Sequence, residues 1–207
     1  MKLWRDEVKS ADRKRGPHAP VVARSLLQAM PPCLLQSRHL ARTLDNPNEL
    51  YELAEATQIG SCDAFISQSW HDNGNAKFAA LSRWAAKFEA ENGRKPLIWL
   101  DRAGIDQTTL SSPESIKQNL SCLPVWLAGS QELVMLVGPT YLQRIWCTLE
   151  VLVFLRMGKS IDHITLIPLD NDDITDANAG KNVWRAAQPP IEEAQPNTGL
   201  LSQATGA

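Results

Sequence analysis

Four short apolar runs, each set off from the next by a helical pattern, restrict the possible folds of this chain more than any other feature. They are Asp63-Ala64-Phe65-Ile66-Ser67-Gln68-Ser69, Pro96–Asp101, Leu133–Val137 and Ile164–Leu169. The second is apolar almost throughout, as a strand covered on both faces should be. Between the first two runs, Phe78, Leu81, Trp84, Ala85 and Phe88 recur at helical spacing, after the polar turn His71–Asn75 and before the stop signal Asn92-Gly93. Between the second and third lies a polar loop from Arg102 to Ser112, long for its place and read as flexible. Ser111 and Glu114 then have capping-box spacing, Pro113 suits a first turn, and the helix that follows is expected to break or restart at Pro124. Strand, helix, strand, helix, strand, helix, strand is the order of a parallel α/β sheet with helices on both faces. In such a sheet, sites form in loops at the carboxyl ends of strands, here Ser67–Asn75, Asp101–Ser112 and Gly138–Tyr141.

The last helical pattern, Tyr141–Gly158, carries the most chemistry. At about 100° per residue, Leu142, Ile145, Trp146, Leu149, Leu152, Val153 and Met157 share one broad apolar face. Val151 and Leu155 project from the other side, so the pattern predicts a helix covered over most of its circumference. Glu150 sits at the edge of the stripe, between Trp146 and Phe154. A carboxylate there must be paired, protonated or facing a pocket, because burying it bare is costly. Arg144, Arg156 or a loop arginine would serve as the pairing partner.

Residues 1–59 read as an N-terminal extension, helical in part and poorly ordered in part, outside a domain of 60–170. Val21–Met30 is a short helical pattern stopped by Pro31-Pro32, and Asn46-Pro47 is a start signal for a helix that Gly60 follows. Arg13-Lys14-Arg15 is a small basic cluster that reads as a solvated face. Residues 171–207 are rich in Asn, Asp, Gln, Pro, Gly and Ala, and read as a poorly ordered tail with Val183-Trp184 as its one anchor.

A formal charge of −2 gives no electrostatic case for nucleic acid or a membrane surface. No secretory leader and no membrane span is legible. Cys33, Cys62, Cys122 and Cys147 form no CxxC pair, which argues against zinc and fits reduced thiols in a cytoplasm.

Four segments together resemble the TIR (Toll/interleukin-1 receptor-like) domain, in a divergent subgroup. Asp63–Trp70 resembles its first-strand box, ending in Ser67-Gln68-Ser69-Trp70. Trp99-Leu100-Asp101-Arg102-Ala103-Gly104-Ile105-Asp106-Gln107 resembles the second-strand box and the start of the BB loop. Leu123–Gly129 is similar to the subgroup's third helix, and Thr140–Glu150 to its Trp-Cys-x-x-Glu box. The Trp-Leu-Asp…Ile-Asp-Gln run also looks like the related heterokaryon-incompatibility domain. Two positions depart from the subgroup, whose usual His is Gln68 here and whose usual Cys is Gly104. The resemblance implies a flavodoxin-like sheet, and the thin segment 171–207 leaves open one that lacks its last strand and helix.

The resemblance also implies chemistry. Catalytic TIR domains hydrolyse NAD at the nicotinamide–ribose bond, some also cyclising the ADP-ribose, and their key carboxylate maps onto Glu150. It implies NAD as substrate, no resident cofactor and no metal. It implies ligand contacts from Ser67, Ser69, Trp70, Asp101 and Asp106, and a site completed by self-association or by another TIR domain. Each residue has a plainer reading beside this one. Glu150 can be an ion-pair member, Ser67 and Ser69 turn hydrogen-bonders, and Asp101 a turn cap. Asp106 and Gln107 can be structural, His71 a loop residue, and Trp146 and Cys147 core. A non-enzymatic TIR interaction module is the alternative function, and nucleotide binding without turnover a third that follows from topology alone.

Overall fold

Side-by-side pairing of the four apolar runs produces the parallel sheet. The structure is a computed structural model that describes residue 23 and residues 26–169; Arg13-Lys14-Arg15, Val183-Trp184 and the segment 171–207 lie outside the described residues. Strands β1 (Gln28–Ala29) and β2 (Glu55–Ala56) pair antiparallel, with helix α1 (Glu49–Leu53) between them. Strands β3 (Ala64–Gln68), β4 (Ile98–Leu100), β5 (Glu132–Val137) and β6 (Ile164–Pro168) then pair, all parallel, in the order β4-β3-β5-β6. Counted from β3, this is the 2-1-3-4 order of a flavodoxin-like sheet, whose switch point falls between β3 and β5. Helices α2 (Gly74–Asn92), α3 (Asp101–Gly104), α4 (Pro113–Gly129) and α5 (Ile145–Arg156) complete the described fold.

Alternation along the strands divides the core in two. Phe65, Trp99, Leu133 and Met135 face Cys122, Leu123 and Trp126 of α4 and Cys147 and Phe154 of α5. Trp99 stacks on Phe65 with ring centroids 4.3 Å apart and tilts against Trp126 at 5.3 Å. Ala64, Ile66, Ile98, Leu100, Val134 and Leu136 face the other way, against Phe78 and Leu81 of α2.

That second core also holds Met30, Leu35, Leu40 and Leu50. Residues 26–59 therefore pack on the sheet rather than standing outside it. Gln28–Ala29 is extended where the pattern suggests helix, and Met30 exchanges backbone hydrogen bonds with Ile98 at 3.0 and 2.9 Å. Arg102 fastens the same arm, its guanidinium donating to the carbonyls of His39 at 3.1 Å and Arg42 at 3.0 Å. At the opposite edge of the sheet, the Leu169 N–H donates to the Val137 carbonyl. The residue before it, Pro168, thus turns its N–H-less nitrogen away from β5, as suits the last strand of the described sheet.

Several local expectations are corrected. The Arg102–Ser112 loop is not an open polar run: it holds α3 and a 3-10 turn at Gln107–Ser111. Ser112, not Ser111, caps α4, accepting from the Ser115 N–H at 3.2 Å. The helix also runs straight through Pro124, because the buried Cys122, Leu123, Trp126 and Leu127 hold it on both sides. Their burial, about 1.5–3 kcal/mol for each large side chain, outweighs the roughly 3 kcal/mol cost of an interior proline.

The stretch 141–158 is not one helix. Tyr141–Gln143 is a separate 3-10 turn, and Arg144 is extended (φ −98°, ψ 114°), which lets Tyr141 turn inward before α5 begins. Nor is the broad apolar face the buried one. Cys147 and Phe154 are buried, while Leu142 and Ile145 are each 77% exposed and Leu152 is exposed as well. Among the described residues, no helix is long and apolar enough to cross a membrane.

Candidate active site at the strand ends

The rim of the sheet near β3 and β4 opens into a cavity of about 290 Å³. Gln68 closes β3, Asp101 follows β4, and α5 contributes Arg144 (its cap), Trp146, Cys147 and Glu150. The rest of the wall is mostly apolar, from Trp70, Trp99, Ile105, Leu110 and the α4 residues Ile116, Leu120 and Leu123, with Asn119 as its one further polar residue.

Glu150 is the group under most tension. Its Oε2 accepts from the Ser67 hydroxyl at 2.5 Å, and the Ser67 oxygen lies 2.6 Å from the Tyr141 hydroxyl. Ser67 has one proton to give, so Tyr141 must donate to Ser67 when Ser67 donates to Glu150. Among the described residues no cation pairs with this carboxylate, neither Arg144 nor Arg156. Burial pushes its pKa up to about 8, the Ser67 hydrogen bond opposes the rise, and the charge on Asp101 adds to it. The carboxyl group is thus mostly neutral near pH 7, and one side of it remains open to the cavity.

Asp101 faces the same space and is held on three sides. Trp70 Nε1 donates to Oδ2 at 2.5 Å, the Arg102 N–H to Oδ1 at 2.8 Å, and Gln68 Nε2 to Oδ1 at 3.4 Å. The Arg102 guanidinium lies 4.5 Å from the centroid of the Trp70 ring, a cation–π contact that fixes the indole. Because Gln68 turns its amide nitrogen toward Asp101, its Oε1 is left without a hydrogen-bond partner, although the residue is only 7% exposed. Cys147 donates weakly to the Gln68 carbonyl at 3.4 Å, and burial pushes its thiol up to about 12, so it lines the site as an inert wall.

Of the residues expected in the site, Glu150, Trp70 and Asp101 line the cavity, and Ser67 stands behind Glu150. Ser69 does not reach it: its hydroxyl lies 2.7 Å from that of Thr140, and its carbonyl accepts from Lys77 Nζ at 2.8 Å. Asp106 does not reach it either, because its carboxylate caps the 3-10 turn through the Thr108 hydroxyl and N–H, which hold its pKa down.

The residues missed from sequence are Gln68, Tyr141, Arg144, Asp72 and Lys77. Lys77 is fully buried, and burial lowers its pKa to about 8 against the opposing pull of Asp101. Asp72 Oδ1 accepts from the Thr140 N–H at 2.9 Å and hydroxyl at 2.8 Å, tying the β3 and β5 loops together. An Asp in a polar turn, or a Lys in the first turn of a helix, carries no periodic signal of burial, but Gln68 was legible as the last residue of its strand.

The N-terminal arm sets the remaining wall. Asn48 accepts from the Gln107 N–H and donates to Asp106, each at 2.8 Å, and so pins the loop that bears Ile105 and Leu110. Asn48→Ala removes both bonds, about 1–2 kcal/mol in all. Amide hydrogen exchange across 105–111 is expected to speed up about tenfold, with the sheet amides unchanged; equal protection in both proteins would show that the clip is idle.

Among the described residues, no group of three or more His, Cys, Asp or Glu side chains is gathered to hold a metal. The arrangement is instead two carboxyl groups, Glu150 and Asp101, and the unpartnered Gln68 Oε1 inside a mostly apolar wall that Asn119 and Arg144 interrupt. No family model, curated protein or solved structure matches the chain.

Proposed function

We propose that this chain is a TIR-like domain that hydrolyses NAD at the nicotinamide–ribose bond after self-association, in cytoplasmic signalling. The single observation that carries the reading is Glu150, desolvated, unpaired with any described cation and open to a cavity at the carboxyl ends of the strands. Cleavage breaks the C1′–N1 bond, and its electron pair stays with nicotinamide, which leaves neutral. The ribose carbon takes on oxocarbenium character beside the carboxylate. Water then adds to C1′ and gives up a proton, which Glu150, with its raised pKa, is suited to accept. Asp101 adds a second negative charge toward the same carbon, and Ser67 keeps the Glu150 oxygen aimed.

The experiment is nicotinamide release from NAD by the purified chain under crowding or oligomerising conditions. If the carboxylate is the working form, kcat/KM should climb with pH, about tenfold per unit below about 8, and then level off. The cationic pyridinium favours the ionised acid, so the corresponding limb of kcat should lie at lower pH. A flat profile between pH 5 and 8 would remove Glu150 from the rate-setting step.

The second reading, a non-enzymatic TIR interaction module, is favoured by one observation of its own. Leu142, Ile145 and Leu152 form an exposed apolar flank on and beside α5, of the kind that marks protein contacts. Absence of nicotinamide release in every assembly state would select it.

A further inference from the structure

We propose that the cavity selects its ligand by a phosphate held at Arg144, taking a 5′-phosphorylated ribosyl amide and refusing the unphosphorylated nucleoside. This rests on the ribosyl-hydrolase reading above and names what that site grips.

Besides Asn119, the polar lining comprises two carboxyl groups, an amide and one cation. Asp101 and Gln68 Oε1 are acceptors, Glu150 is one whenever it is ionised, and the Gln68 oxygen is buried with no partner. They suit a group rich in donors or carrying positive charge, such as ribose hydroxyls, a carboxamide N–H or a pyridinium ring. Arg144 is, among the described residues, the one cationic side chain in the wall. Its guanidinium has no described hydrogen-bond or ion-pair partner, although two carboxylates line the same space. Its charge is felt at Cys147, in the same wall, yet it forms an ion pair with neither Glu150 nor Asp101 among the described residues. Arg144 therefore meets the cavity with its five donors unspent and a fork that fits phosphate oxygens.

Size supports the same assignment. At about 290 Å³ the cavity is at the small end for a drug-sized ligand, enough for one half of a dinucleotide. With the ribosyl amide seated against Glu150, the phosphate comes next in the covalent order and meets Arg144. The adenosine half then lies outside, toward the half-exposed Trp146 two residues on.

The test is calorimetric binding of NAD, nicotinamide mononucleotide and nicotinamide riboside to the full chain and to Arg144→Gln and Arg144→Lys. The mononucleotide should bind within a few-fold of NAD, and the riboside about ten- to a hundredfold more weakly, as a charge-assisted contact to phosphate contributes. Arg144→Gln should close that gap by weakening only the phosphorylated ligands, with an unchanged melting temperature. Arg144→Lys should recover part of it. Equal binding of mononucleotide and riboside to the wild type, or a gap that survives Arg144→Gln, overturns the inference even if hydrolysis occurs. An Arg144-dependent gap without nicotinamide release upholds the inference and rejects the hydrolase. If none of the three binds, both fall.

Discussion

Glu150→Gln is expected to stop nicotinamide release while making the fold more stable at alkaline pH. The carboxyl has a folded-state pKa of about 8, against 4.5 unperturbed, so the native state holds its proton more tightly than the unfolded chain does. Ionising it therefore destabilises the native state, by little below pH 4.5 and increasingly as pH rises toward 8. Each pK unit is about 1.4 kcal/mol. Halving the shift for solvent in the open cavity leaves about 2 kcal/mol, roughly 4–8 °C in melting temperature at this length. Glutamine keeps the shape and can still accept from Ser67, but it has no charge to lose.

Melts of both proteins at about pH 5 and 9 should thus show a small gain at the lower pH and the larger one at the higher. Loss of the carboxylate should lower the hydrolytic rate about a thousandfold, the scale on which removing one electrostatic group acts at a developing charge. A Glu150→Gln protein that melts below the wild type at alkaline pH would mean that the side chain is a structural partner. The hydrolase would then lose its central group.

Gly104→Cys is expected to destabilise the protein by about 3 kcal/mol, at the upper end of overpacking effects, or roughly 6–12 °C. A Cβ on residue 104 would come within 2.9 Å of Cζ2 of Trp99 and closer still to Nε1 and Cε2. That indole is buried, stacked on Phe65 and wedged against Trp126, so it has nowhere to retreat. Its Nε1 is buried without an acceptor and points at the space a side chain on residue 104 would fill. Trp99→Phe in the same chain should return much of the loss, a coupling that a double-mutant cycle reads directly. A melt unchanged by Gly104→Cys would show that the indole is freer than its packing implies. The glycine that departs from the TIR-like pattern is thus tied to the tryptophan five positions before it.

The sheet was legible because Phe65-Ile66, Ile98–Leu100 and Leu133–Val137 are apolar runs of strand length with turn signals between them. Glu150 and Asp101 were legible because a carboxylate at an apolar edge, or at a strand's carboxyl end, has few inexpensive explanations. The buried side of α5 was not. Its residues are apolar over most of the circumference, so periodicity could not say which arc its neighbours cover. The answer turned on Ser67 and Tyr141, which draw Glu150 inward and leave Ile145 and Leu152 outside. The arm was missed for a different reason. Met30, Leu35 and Leu40 enter the core as single knobs on irregular backbone, at a spacing that matches neither a strand nor a helix.

The arm's attachments redraw the limits of the folding unit. A fragment starting at residue 60 would expose the outer edge of β4 and remove Met30, Leu35, Leu40 and Leu50 from the core that holds Leu81 and Phe78. Arg102 would be left with a guanidinium whose two carbonyl acceptors had gone, directly above the ring that orients Asp101. Damage done to residues 26–59 is thereby delivered to the cavity that Asp101 and Glu150 line, so the sheet and its four sequence boxes cannot be cut free of the arm without dismantling what they surround.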